Sequence, residues 1–119
     1  MIQVTQKDAF YSHVKAQRSA VWPVATGVTF VSRAEHHNWG IALHLEGWTL
    51  RPEQLRDALQ RRFSQAELFS DYFLFLDVQR DFVVWHAAPG VTGSLVTLDY
   101  IRQHQLMLVG LDHLNDISL

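Results

Sequence analysis

The chain has 119 residues, 48% of them hydrophobic, with a formal net charge of −2 and no cysteine. That length suits one domain over residues 1–119, and the hydrophobic share is too high for disorder. The charge offers no basic face for nucleic acid, and the lack of thiols excludes disulfides, thiolate metal sites and cysteine nucleophiles.

The first ten residues, MIQVTQKDAF, lack the basic patch and apolar core of a secretory leader. No apolar run approaches the roughly 20 residues that span a bilayer. Even the last apolar segment is interrupted by Asp99, Arg102, Gln103, His104 and Gln105. A soluble cytoplasmic protein without membrane contact is the expectation.

A first helix is expected over residues 5–17. Thr5 can cap an orphan backbone N–H, Asp8 favours the positive helix end, and Phe10 and Val14 share a stripe. Trp22-Pro23 reads as its end, because proline disfavours the helical conformation in the residue before it. Residues 28–31, after Gly27, read as a strand and residues 33–38 as a polar connection. Residues 39–45 then alternate, with Trp39, Ile41, Leu43 and Leu45 on one face, the period of a half-buried strand.

Glu46-Gly47-Trp48 turns the chain into a second helix, with Pro52 acceptable in its first turn. Leu55, Ala58, Leu59 and Phe63 repeat there at helical spacing, and Arg56, Gln60, Arg61 and Arg62 fill much of the rest. The capping-box pattern Ser64-Gln65-Ala66-Glu67 predicts a bend or a short extra turn holding Leu68 and Phe69.

Residues 72–78 and 82–87 make a hairpin across the turn Gln79-Arg80-Asp81. The first of these strands is apolar on both faces until Asp77, which predicts a central or doubly covered strand. Turn formers follow over residues 89–93. Ser94 then caps a helix over residues 94–111, closed by Gly110, and residues 112–119 read as a flexible tail. The order is α-β-β-α-β-β-α, an α+β two-layer sandwich with a mainly antiparallel sheet.

Chemistry-bearing patterns are sparse. Seven histidines invite a metal reading, but neither an HExxH nor an HxH pattern occurs, and they read as surface or cap residues. Asp77 and Asp81 flank a turn, where aspartate suits turn chemistry alone. Gly90-Val91-Thr92-Gly93 lacks the lysine of a phosphate loop. Neither a cofactor nor a catalytic group is expected. Four tryptophans, Trp22, Trp39, Trp48 and Trp85, divide between core and interface anchors.

This order of elements resembles class I type III secretion chaperones and related small secretion-system proteins. The matching pieces are residues 5–17, 28–45, 52–63, 72–87 and 94–111, with the hairpin YFLFLDVQRDFVVWHA and its following helix the nearest local match. Those chaperones are usually acidic, whereas this chain has a pI near 6.4. It is also similar to the HrpV-type regulators, chaperone relatives that bind a transcription activator and an antagonist protein instead of an effector.

The resemblance implies a non-enzymatic protein-binding module, a homodimer or heterodimer, whose partner is a secreted effector or an activator and its antagonist. Leu55, Leu59 and Phe63 are the residues expected to self-associate, and Trp39, Leu43 and Trp85 those expected to hold a partner. The competing reading is a small enzyme or ligand-binding domain with a closed polar pocket around Tyr72, His86 and His104.

Overall fold

The structure, a computed structural model, describes residues 2–90 and 93–117. Its elements are β1 (Ile2–Gln3), α1 (Lys7–Lys15), β2 (Ala20–Ala25), β3 (Val28–Glu35), β4 (Asn38–Leu45), α2 (Pro52–Ser64), α3 (Ala66–Phe69), β5 (Phe73–Leu76), β6 (Phe82–Ala87) and α4 (Leu95–Leu108). A 3-10 helix, Asp112–Ile117, follows. Six strands form one sheet in the order β1-β2-β3-β4-β6-β5, antiparallel except where β1 joins β2. The α+β class and mainly antiparallel sheet are therefore as expected.

The helices cover one face. Phe10 and Val14 of α1, Ala58 of α2, Phe69 of α3 and Leu98 and Leu106 of α4 all join the core formed with Phe30, Ile41, Leu43, Leu45 and Val84. The far face carries a smaller cluster made of strand residues, Val31, Ala42, Val83 and Trp85. Period-2 alternation sends odd β4 residues toward the helices and even ones away.

β1 and β2 are strands additional to the expected order, and Trp22-Pro23 lies inside β2. Pro23 is tolerated because β1 pairs with β2 at Ala20 and Val21, leaving the edge open beside Pro23. Trp22 packs in the core with Phe10 at 5.5 Å and Phe30 at 5.7 Å between ring centroids. Helix α1 instead ends at Lys15, two residues before the expected end, in a Schellman arrangement: Gln17 N–H donates to Val14 O and Arg18 N–H to His13 O. Gln17 takes the left-handed φ of 55° that glycine usually supplies. The end of α4 uses the same pair of bonds with Gly110 at φ 77°, as its sequence predicts.

The polar connection is a tight turn. β3 runs on to Glu35 and β4 starts at Asn38, with His36 and His37 both at positive φ. That sign pattern belongs to a type I′ hairpin turn, where histidine is tolerated better than most side chains. α2 ends at Ser64 and α3 supplies the extra turn, as the capping pattern indicates. Ser94 Oγ accepts from Thr97 N–H at 3.2 Å and caps α4; Val91 and Thr92 of the preceding loop lie outside the described residues. In the segment expected to be a flexible tail, Asp112–Ile117 form a 3-10 helix and Leu114 joins the core; residues 118 and 119 lie outside the described residues.

Candidate functional site

Helix α2 presents apolar side chains outward while Arg61 and Arg62 face the body. Arg61 Nη1 donates to Leu108 O at 2.5 Å, at the carbonyl end of α4, where cationic donors suit the helix dipole. Arg62 Nε donates to Tyr72 O at 2.6 Å. Ala58 is buried beneath them and Leu55 is half-buried against the core. Leu59, at 54% exposure, and Phe63, at 86%, are left outside one turn apart. The three residues expected to self-associate thus share a helix face, graded from half-buried Leu55 to open Phe63.

The three residues expected to hold a partner do not form one surface. Leu43 is 0% exposed in the core under the helices. Trp85 lies on the far face at 2% exposure, its indole N–H 3.4 Å from Arg33 O. Gly40 makes room for it, since a Cβ there would stand 2.5 Å from Trp85 Cζ2. Trp39 is half-buried, donates to Ser32 Oγ at 2.9 Å, and lines a cleft of about 150 Å³ with Val14, Lys15, Ala87 and Pro89.

Strand β5 corrects the expectation of a central strand. It is the edge of the sheet, paired on one side with β6. Leu74 packs on the helix side and Phe75 on the far side, so both faces are apolar without the strand being covered. Phe73, Leu76 and Val78 are exposed, and the free edge offers unpaired backbone groups of the kind that accept another strand. The two-faced apolar pattern was visible in the sequence; an open edge explains it as well as burial does. Val96 and Tyr100 on α4, and Trp48, add exposed apolar area.

Tyr72, His86 and His104 do come together. Ring centroids lie 4.4 Å apart for Tyr72 and His86 and 6.3 Å for Tyr72 and His104, while His104 meets Tyr100 at 3.9 Å. At 4.4 Å the Tyr72 and His86 rings are in van der Waals contact and leave no space for a substrate between them. Each histidine has Nδ1 at a backbone oxygen, His86 at Ala87 O and His104 at Tyr100 O. Tyr72 is buried with its hydroxyl unpaired, and burial pushes its phenol above the ordinary range. The group is an aromatic stack wedged between β6 and α4.

Burial pushes the His86 imidazole below the usual histidine range. The folded state therefore favours the neutral ring, and the unfolded chain binds the extra proton. Stability from this group is intact above the unfolded value of about 6.5 and declines as pH falls through it toward the lower folded value. An NMR titration is expected to place the His86 midpoint below that of an exposed histidine; a midpoint above about 6.5 would contradict the buried placement.

His36 and His37 are exposed on their turn, and His13 bonds back to Ala9 O within α1. His44 meets the carboxylates of Asp77 and Asp81. Among the described residues, no helix is long and apolar enough to cross a membrane.

Comparison with curated proteins and with solved structures found no match. The HrpV-like family model matches residues 1–108, from the first strand to the last residue of α4. The chain therefore belongs to the HrpV-like family of type III secretion regulators, the regulator branch that its order of elements resembles.

Proposed function

We propose that this protein is a non-enzymatic, chaperone-like regulator that works in the cytoplasm by binding and sequestering a partner protein. The observation that carries the reading is the outward face of α2, with Leu59 and Phe63 exposed one turn apart while Arg61 and Arg62 anchor the helix. Large apolar side chains held open on a rigid helix are typical anchors of protein interfaces. Leu55, Leu59 and Phe63 form the self-association face, giving a homodimer or a heterodimer with a related chain.

The partner segment adds to the sheet at the open edge of β5, where backbone groups supply affinity and flanking pockets supply selectivity. Phe73 and Phe75 lie on the same face as Trp85, with Phe73 and Trp85 rings 6.1 Å apart. Trp85 therefore backs this surface, Leu43 supports it from the core, and Trp39 marks a second cleft beside α1. Membership of a regulator family favours a transcription activator and its antagonist as partners over a secreted effector.

Phe63→Glu and Leu59→Glu are expected to halve the mass of the purified protein in light scattering without changing its circular dichroism. A wild-type chain that stays monomeric at high concentration, or a variant of unchanged mass, removes the self-association face. Co-expression with the activator, its antagonist or an effector then separates the partner classes.

A further inference from the structure

We infer that His44, Asp77 and Asp81 form a zinc site that clamps the β5–β6 hairpin to the end of β4. The three residues come from separate parts of the chain, the last turn-ward residues of β4, the exit of β5 and the entry to β6. His44 Nε2 lies 3.0 Å from Asp81 Oδ2 and 3.5 Å from Asp77 Oδ2, and the three candidate ligand atoms lie within 4.8 Å of one another. Zinc bound to nitrogen and carboxylate oxygen at about 2.0–2.2 Å in a tetrahedron sets its ligands about 3.3–3.6 Å apart. The His44–Asp77 separation falls within that edge, and the His44–Asp81 separation, a direct hydrogen bond, falls just short of it, so a zinc ion fits once that pair opens slightly, with water at the fourth corner.

The outer oxygens of both carboxylates are already occupied by backbone donors. Asp77 Oδ1 accepts from Gln79 N–H at 2.9 Å and Asp81 N–H at 3.0 Å, and Asp81 Oδ1 accepts from Gly47 N–H at 2.9 Å. Such supporting bonds orient ligands and leave the Oδ2 atoms turned toward His44. Charge points the same way. Two carboxylates share one imidazole, and among the described residues neither forms an ion pair with a lysine or arginine. The side chains are only 24%, 17% and 16% exposed, so water screens this repulsion incompletely. A divalent cation neutralises the pair, and one imidazole with two carboxylates suits zinc.

The site differs from the partner-binding reading in what it requires, since it needs neither self-association nor a partner. Its effect would reach β5 all the same: a zinc ion joining β4 to both ends of the turn holds the edge strand in place.

The test is calorimetric titration of the full chain with zinc chloride, beside His44→Gln and Asp81→Asn. Asparagine keeps an oxygen for Gly47 N–H, so Asp81→Asn preserves the turn if His44→Gln does not fold. One zinc per chain is expected at micromolar concentration, weakened by more than about tenfold in either variant. Cobalt in place of zinc is expected to give the intense visible bands of a four-coordinate site, lost in the same variants. Absence of binding at micromolar zinc overturns the proposal, and so does binding of equal strength in both variants, which would assign the metal to the other histidines.

Discussion

Leu43→Ala is expected to lower stability by about 2–5 kcal/mol, the cost of deleting buried methyl groups and leaving a cavity. The side chain is fully buried between Phe30, which it faces across the β3–β4 register, and the helices above. Close packing leaves few neighbours free to fill the space. Against a total stability of roughly 5–15 kcal/mol, that loss is large. Leu59→Ala, on the open face of α2, is expected to change only the concentration-dependent part of stability, through self-association. Urea unfolding of both variants at several protein concentrations separates the cases. A cost at Leu43 below about 1 kcal/mol would mean that it does not sit in a tight core.

Asp99→Ala is expected to destabilise the chain more than Arg102→Met, although both break the same pair. The Arg102 side chain is 3% exposed. Its guanidinium lies 5.6 Å from the Trp22 ring centroid and 5.8 Å from that of Phe30, within reach of a cation–π attraction. Its Nε donates to Tyr11 Oη at 3.1 Å, and Tyr11 in turn donates to Asp99 Oδ1 at 2.6 Å. Burial is the first cause that pushes the Tyr11 phenol above its ordinary range, and the bond to Asp99 adds to it.

Removing Asp99 leaves a buried cation without its counter-charge. Breaking a fully buried pair in this way costs about 3–5 kcal/mol. Asp99 is 32% exposed, so screening lowers the expectation to about 2–3 kcal/mol. Arg102→Met instead removes the charge together with its desolvation cost and keeps an unbranched chain between the two rings. Asp99 then retains Lys7 at 3.7 Å and the Tyr11 hydroxyl. Arg102 Nη1 has no hydrogen-bond partner in the wild type, so the methionine abandons nothing there. Thermal unfolding of the two variants decides the matter, and a larger loss for Arg102→Met would overturn this account.

Local signals were legible wherever a local cause sets the structure. Alternation in β4, Pro52 at the start of α2, the capping pattern at Ser64, Ser94 as a cap and Gly110 as a stop all act within a few residues. The end of α1 was not, because Gln17 takes a conformation that its side chain does not advertise. β2 was hidden by Pro23, whose place in a strand depends on β1 ending two residues before it. In α4 the sequence pattern misplaces polarity: Arg102 and Gln105 point inward while Val96 and Tyr100 point out. Gln105 is satisfied by Ile41 O at 2.7 Å and Val84 O at 3.1 Å, both contributed by the sheet.

The candidate surfaces divided along the same line. Leu55, Leu59 and Phe63 share a face because helical spacing is local, whereas Leu43 and Trp85 fell to opposite sides of the sheet because strand register is not. The α+β class, the succession of most elements and the family resemblance can be read from the residues alone, since periodicity and turn chemistry are written in neighbouring positions. Long-range pairing alone makes β5 an open edge, turns Arg61 and Arg62 of α2 inward, and brings His44 to Asp77 and Asp81. Each of those depends on which distant segments pair, and burial, charge pairing and edge exposure exist only once they have.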